Sequence, residues 1–92
     1  MCNTATESVD VPNRLGMHAR PATIFAETAG QHACAISVRR SDGGDPVDAK
    51  SIMQLMMLAA TQGTTLVIEA SGEGAQEAVA CLVELVGDGF SE

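Results

Sequence analysis

Residues 64–89, TTLVIEASGEGAQEAVACLVELVGDG, decide the fold, because the clearest strand of the chain stands there directly before its longest helix. Every second residue from Leu66 to Ala70 is apolar, which is typical of a half-buried strand. The following helix has apolar residues at helical spacing: Ala75, Ala78, Val79, Leu82, Leu85 and Val86. Gly87 is a natural end for this helix. A one-faced strand followed by an amphipathic helix predicts a helix packed on a sheet.

Five further elements precede this pair. In chain order they are a strand at 5–12, a helix at 19–29, a strand at 34–39, a short strand at about 46–48 and a helix at 51–60. Pro46 places the short strand at a sheet edge, and Ser51 followed by Gln54 matches a capping box. The order β-α-β-β-α-β-α, with one apolar face per strand, predicts a two-layer α+β sandwich whose single sheet has helices on one side.

Length, charge and cysteine usage exclude several classes of protein. Ninety-two residues predict a single domain spanning 1–92, with 1–4 as a loose N-terminus. A chain of this length is too short to fold around a large organic cofactor, so we expect none. The net charge of −7 argues against direct nucleic-acid binding, which depends on Lys and Arg at the phosphates. The three cysteines form no CxxC pair, so neither a disulfide framework nor a metal site is predicted.

The sequence contains neither a recognisable secretory signal nor a membrane span, which bears on the cellular location of the protein. The first residues, MCNTATESVD, lack the basic and apolar regions of a secretory signal. The chain also has no apolar run of membrane-spanning length. We therefore expect a cytoplasmic protein without membrane insertion.

The segment NRLGMHARPAT, residues 13–23, concentrates positive charge around a histidine. Arg14 and Arg20, two of the five basic residues, lie within four residues of His18. Pro21 fits the first turn of a helix, where amides have no internal acceptor, so His18 is expected at or next to the N-cap. The free amides and the helix dipole attract an anion at that end. Because histidine is a covalent nucleophile, the segment predicts an imidazole that holds a phosphoryl group.

The residues alone also allow simpler interpretations of His18. A lone histidine beside arginine near a helix start is often a surface residue or an imperfect cap. Metal binding is disfavoured, because His32 has only Cys34 at a ligand spacing. A hydrolase is disfavoured as well, since no acid or nucleophile motif accompanies the histidine.

The stretch NRLGMHARPA resembles the active-site segment of the HPr family, the histidine-containing phosphocarriers of the bacterial phosphoenolpyruvate:sugar phosphotransferase system. The family pattern is Gly, an apolar residue and then His-Ala-Arg-Pro-Ala, with Met17 here in place of the commoner Leu. The resemblance continues through VDAKSIMQLMML and GTTLVIEASGEGAQEAVACLVEL. It implies the HPr-like open-faced sandwich, a four-stranded antiparallel sheet with three helices on one face.

The resemblance also implies a reaction and its residues. His18 would take a phosphoryl group on the ring nitrogen nearer the backbone from enzyme I, which takes it from phosphoenolpyruvate. Arg20 would stabilise the phosphohistidine, with Asn13, Arg14 and Ala19 supporting the phosphate. The group would then pass to the A domain of a sugar-specific enzyme II. Such a protein is a carrier with a phosphohistidine intermediate rather than an independent catalyst, and we expect a monomer.

Ser51 and the helix after it carry two further expectations. Ser51 matches the position where some HPr proteins are phosphorylated by HPr kinase/phosphorylase, although a serine there is also a good N-cap. The methionine-rich helix is too short to bury all of its apolar side chains, although tighter core packing is the alternative. The resemblance implies that the partner-docking residues are Met17, Ile52, Met53 and Met56.

A second function, from a different class, stays open at this point. An HPr-like regulatory module, either a nitrogen-branch relay or a kinase-controlled co-effector, would keep this fold without serving sugar uptake. His18 and Arg20 favour retained phosphocarrier chemistry, but they do not separate transport from regulation. The sequence names neither the sugar nor the downstream acceptor.

Overall fold

The computed structural model describes residues 3–91 and has the predicted order of elements. Four strands, β1 to β4, and three helices, α1 to α3, follow one another as β1 Thr4–Asp10, α1 Ala19–Gly30, β2 Ala35–Arg40, β3 Gly43–Asp48, α2 Ile52–Met57, β4 Thr65–Ser71 and α3 Ala75–Gly87. A 3₁₀ turn, Gly89–Ser91, ends the described chain.

The four strands form one antiparallel sheet in the order β1-β4-β2-β3. Strand β4 is therefore central, as its strong apolar alternation suggests, and it pairs with β1 on one side and β2 on the other. Strand β3 lies at an edge, which agrees with the position of Pro46. The predicted four-stranded antiparallel sheet is confirmed.

One face of the sheet carries the core, and the helices cover that face. Its buried side chains on β2 and β4 are Ile36, Val38, Leu66, Ile68 and Ala70. Two phenylalanines close the core from the helical side: the rings of Phe25 in α1 and Phe90 in the 3₁₀ turn are fully buried, with centroids 6.4 Å apart. The prediction of helices on a single face is thus confirmed, and the opposite face of the sheet is open to water.

Several predicted boundaries are wrong by a few residues. Strand β1 begins at Thr4, which pairs with Ser71 of β4, and the Gly72 amide donates to the Asn3 carbonyl at 2.7 Å; the expectation of a loose segment 1–4 is tested over residues 3 and 4 only. Residues 1 and 2 lie outside the described residues. Strand β3 begins at Gly43 rather than near Pro46, because the hairpin is tight enough for the strand to pair from the turn.

Helix α2 is shorter than the predicted 51–60. Its last helical residue is Met57, and Ala59 has φ of +52°, a left-handed conformation that an α-helix cannot contain. The backbone thus turns away from the helix axis at an alanine, a residue that this conformation disfavours.

We predict that Ala59→Gly stabilises the fold. Glycine removes the left-handed penalty of about 1–2 kcal/mol, and its larger unfolded-state entropy offsets about half of that gain. The net expectation is about 0.5–1 kcal/mol in the free energy of unfolding, measured by urea denaturation. Ala80→Gly, at an exposed position inside α3, is the control and should destabilise by about 1 kcal/mol. A loss of stability in the Ala59 variant would contradict the strain argument.

Candidate functional site

A tight turn at residues 13–16 leads the chain from β1 to α1. The Gly16 amide donates to the Asn13 carbonyl at 3.1 Å, and the Asn13 side-chain Nδ2 donates to the Gly16 carbonyl at 2.7 Å. The His18 amide donates to the same Gly16 carbonyl at 3.0 Å. Three hydrogen bonds therefore fix the backbone over the residues that precede the histidine.

The turn is pressed against the loop that follows α2. Gly16 has φ of +69°, and a Cβ placed on it would lie 2.2 Å from the Ala60 carbonyl oxygen and 2.8 Å from Thr61 Cα. The next amide, that of Met17, donates to the same Ala60 carbonyl at 2.9 Å. Only glycine allows the two backbones to approach this closely, so Gly16 sets the position of the histidine loop.

His18 is the N-cap of α1, as the sequence predicts. Its backbone is extended, with φ of −88° and ψ of −170°, and its carbonyl accepts the first helical bond, from Ala22 N at 2.9 Å. The amides of Ala19 and Arg20 precede that first bond and have no acceptor inside the helix, while Pro21 has no amide hydrogen. The partly exposed imidazole thus stands at the positive end of a 12-residue helix.

The structure brings the predicted phosphate-supporting residues together. One open surface depression of about 600 Å³ is lined by Asn13, Arg14, Leu15, His18, Ala19 and Arg20. Arg14 and Arg20 are both exposed on its rim. Arg14 and Arg20 therefore share one depression with His18, on a surface that a second protein can reach.

Asn13 contributes to the loop as well as to the depression. Its Nδ2 is engaged with the Gly16 carbonyl, and its buried Oδ1 has no hydrogen-bond partner. The amide group is therefore directed into the turn, which assigns Asn13 a structural role that the sequence did not predict.

Met17, which the resemblance implies to be a docking residue, is buried in this structure. Its side chain is only 5% exposed and belongs to the core, and its backbone amide donates a hydrogen bond to the Ala60 carbonyl. Leu15, which the sequence analysis missed, is 73% exposed and lines the depression instead. The signal was available in principle, since the residue before a left-handed glycine stands at the tip of the turn.

Helix α2 presents an apolar surface, which we call the α2 surface and define as Ile52, Met53, Met56 and Met57. Its residues are 38%, 77%, 45% and 78% exposed, respectively. The alternative, in which tight core packing buries these side chains, is therefore wrong. Among residues 52–58, only Leu55 and Leu58 are buried.

Ser51 caps α2, but the predicted capping box is only half formed. The Ser51 hydroxyl accepts a hydrogen bond from the Gln54 amide at 3.3 Å. The Gln54 side chain does not return to Ser51; its Oε1 accepts from the Asp48 amide at 3.0 Å, while the Ser51 amide donates to the Asp48 carbonyl. The Asp48 backbone thus binds both the Gln54 side chain and the Ser51 amide, which would bind each other in a complete capping box.

No helix among residues 3–91 is long and apolar enough to cross a membrane. Over the same residues, no cluster of three or more His, Cys, Asp or Glu side chains has the arrangement of a metal site.

We predict that Gly16→Ala destabilises the fold and loosens the histidine loop. The added methyl would collide with backbone atoms at 2.2 and 2.8 Å, and alanine disfavours a positive φ. We expect a loss of about 2–3 kcal/mol in denaturant unfolding, because backbone rather than a flexible side chain must move. Gly30→Ala is the control: a Cβ there meets nothing within 4 Å, and its stability should not fall. Equal effects in the two variants would contradict the close-approach argument.

The comparisons with known proteins agree with this geometry. The family model described as "PTS HPr component phosphorylation site" matches residues 5–88. The phosphocarrier protein HPr of Pseudomonas aeruginosa is 44% identical over 84 residues, 91% of this chain and 92% of that protein. The phosphocarrier protein NPr of Escherichia coli is 37% identical over 89 residues, 97% of this chain and 98% of that protein.

Solved structures show the same architecture. A crystal structure of HPr-C-His from Thermoanaerobacter tengcongensis superposes with a TM-score of 0.88 at 35% identity, covering 96% of this chain and 97% of the other. A phosphocarrier protein HPr from Bacillus anthracis gives a TM-score of 0.83 at 34% identity, covering 90% and 96%. With its sheet order, its histidine-capped helix and these similarities, the chain belongs to the HPr family of phosphocarriers of the phosphotransferase system.

Proposed function

We propose that this chain carries a phosphoryl group on His18, which it receives from enzyme I and gives to the A domain of an enzyme II. The observation that carries the proposal is the position of His18 at the N-cap of α1, in one depression with Arg14 and Arg20. A carrier needs a nucleophile that a donor and an acceptor can both reach, and this depression is open to solvent.

The transfer itself requires a neutral imidazole. The ring nitrogen nearer the backbone, Nδ1, supplies its lone pair to the phosphorus, and the bond between phosphorus and the donor's leaving group breaks as the new N–P bond forms. The other ring nitrogen keeps its hydrogen. Passing the group to the acceptor repeats this exchange, with His18 as the leaving group.

The surroundings of His18 stabilise the charge that arrives with the group. The amides of Ala19 and Arg20 point out of the end of α1, and the helix dipole adds about half a positive charge there. The Arg20 guanidinium, in the same depression, supplies charge-assisted hydrogen bonds to phosphate oxygens. Backbone amides need no reorganisation, so the phosphohistidine is held without being buried.

We predict that phosphorylation depends on His18 alone of the two histidines. With enzyme I and phosphoenolpyruvate, the unaltered chain should gain one phosphoryl group whose bond is labile in acid and stable in base. His18→Ala should abolish the gain and His32→Ala, the matched control, should retain it, as measured by intact-protein mass spectrometry. Phosphorylation of the His18 variant at the same rate would overturn the proposal.

The arginines provide a second comparison within the same experiment. Arg20→Met and Arg14→Met each remove one positive charge from the depression, so they change its net charge equally. If Arg20 contacts the phosphate, its loss should slow acceptance by about 10²-fold, the typical effect of removing one charge-stabilising donor. Arg14→Met should have a clearly smaller effect.

A regulatory relay is the second candidate function. The similarity to the Escherichia coli phosphocarrier protein NPr, over 97% of this chain, favours the nitrogen-branch alternative as directly as the similarity to HPr proteins favours sugar transport. Both candidates use the same chemistry at His18. A transfer assay from the phosphorylated chain to A domains of sugar-specific and of nitrogen-type enzymes separates them, since the faster acceptor identifies the branch.

We also propose that the α2 surface and Leu15 form the docking site for these enzymes, and that one chain acts alone. Exposed methionines and leucine are adaptable apolar contacts, and a carrier must fit several partners in turn. A single chain by itself brings His18, Arg14 and Arg20 into one depression, which supports transfer by one copy.

Regulation at Ser51 is a further proposal, supported by its location at the start of the α2 surface. A phosphate there would add nearly two negative charges beside exposed Ile52 and Met53. The Asp48 carboxylate already lies near this end of the helix, where it accepts from the Lys50 amide at 2.9 Å. The added charge would oppose docking onto an apolar surface while leaving the core intact.

We predict that Ser51→Asp weakens phosphoryl transfer, whereas Ser51→Asn does not. Both side chains are good N-caps, so they keep the bond from the Gln54 amide, and they differ only in charge. The expected result is a raised KM for enzyme I in the Asp variant, with equal melting temperatures for the two proteins. Equal KM values would contradict a regulatory effect of charge at Ser51 and leave only its role as the N-cap of α2. Incubation with HPr kinase/phosphorylase and ATP, followed by mass spectrometry, tests the modification directly.

A further inference from the structure

The guanidinium of Arg40, at the end of β2, joins three parts of the chain. Its Nη1 donates to the carbonyl oxygens of Leu58 at 3.3 Å and of Ala59 at 3.2 Å, just beyond α2. Its Nε and Nη2 donate to the two carboxylate oxygens of Asp42, at 3.0 and 2.8 Å. This two-pronged arrangement fixes the orientation of the guanidinium, which lysine cannot reproduce.

The ion pair is maintained at neutral pH. Hydrogen bonds from Arg40 hold the pKa of the Asp42 carboxyl below its usual range, and Asp42 raises the pKa of Arg40. Both groups face solvent, so their attraction alone adds little to stability. The importance of the pair lies in the carbonyls that the guanidinium holds.

Those carbonyls belong to a strained turn. Ala59 is left-handed, with φ of +52°, and it is not a glycine. The strain persists only when the surroundings fix the backbone, and Arg40 bonds the carbonyl of the strained residue itself. The side chain therefore acts as a clamp on the end of α2, which we call the Arg40 clamp.

The clamped turn is followed directly by Ala60, the residue that contacts the loop before His18. The Ala60 carbonyl accepts the Met17 amide at 2.9 Å, and the same carbonyl meets Gly16 at its closest approach. Further along, the Gly63 amide donates to the Val11 carbonyl at 2.8 Å. Ala59 and Ala60 are adjacent in the chain, as are Met17 and His18.

We infer that Arg40 is a positioning residue for phosphoryl transfer: with Asp42 it fixes the turn at Ala59, and through Ala60 and Met17 it fixes the N-cap backbone at His18. The inference rests on the proposed function of His18. It concerns a residue on the second strand that does not line the depression of His18. Its effect is on the placement of the Ala19 and Arg20 amides, for which small displacements are costly to reaction rates.

Arg39 is a matched control for Arg40. It is the preceding residue of the same strand, it is exposed, and successive strand residues point to opposite faces of the sheet. Arg39→Met and Arg40→Met therefore remove the same charge from the same strand. Only the second removes the bonds to Leu58 and Ala59.

The experiment measures two properties of each variant, well below its melting temperature. In Arg40→Met, the rate of phosphoryl acceptance from enzyme I should fall about tenfold, and exchange of the Met17 amide hydrogen should accelerate about tenfold. Arg40→Lys should recover only part of either property, because it loses the fork to Asp42. Arg39→Met should match the unaltered chain in both.

A double variant separates positioning from folding stability. Ala59→Gly relieves the left-handed strain, so Arg40→Met with Ala59→Gly should recover the melting temperature but remain slow in transfer and fast in Met17 exchange. Recovery of transfer together with stability would overturn the inference, as would equal behaviour of the Arg39 and Arg40 variants. If the unaltered chain is not phosphorylated, the proposed function fails instead, while the Met17 exchange still reports on the clamp.

Discussion

The close approach of two backbones, Gly16 against Ala60, is the constraint on which the site depends. A single carbonyl oxygen accepts the Met17 amide at 2.9 Å and leaves no room for a side chain on Gly16. This contact joins the loop before α1 to the loop after α2, two segments more than forty residues apart in sequence. His18 follows immediately, so this main-chain contact helps to fix the direction in which the first amides of α1 face.

A site built in this way suits an acidic protein that carries a phosphate. The net charge of −7 would repel a phosphoryl donor if charge were spread evenly, but Arg14 and Arg20 stand together at the one depression that holds His18. The helix dipole and free amides act over the last few ångströms, where screening by salt is weakest. The overall charge therefore discourages nonspecific binding to polyanions, while positive charge is concentrated where His18 lies.

The fold was predictable because each element carries its own periodic signal. The alternation in β4, the stripe of α3 and Pro21 after His18 are local patterns, and each gave the correct element or cap. The errors concern features that depend on distant contacts. Met17 is buried because Ala60 accepts its amide, and α2 stops at Met57 because the next loop must meet Gly16. Hydrophobicity alone could not distinguish Met17 from exposed Leu15.

The role of Arg40, like the burial of Met17, depends on distant contacts and could not be predicted from the local sequence. From the sequence, Arg39 and Arg40 are two adjacent charges at the end of a strand, and nothing local distinguishes them. In the folded chain Arg40, unlike Arg39, donates hydrogen bonds to the carbonyls of Leu58 and Ala59 just beyond α2. Ala59 is the residue with the strained left-handed backbone. An alanine at this turn is tolerable because an arginine holds it, so the two residues should be considered together. The loop that positions His18 is therefore supported from both sides: by Gly16, which permits the approach, and by Arg40, which keeps the opposing backbone in place.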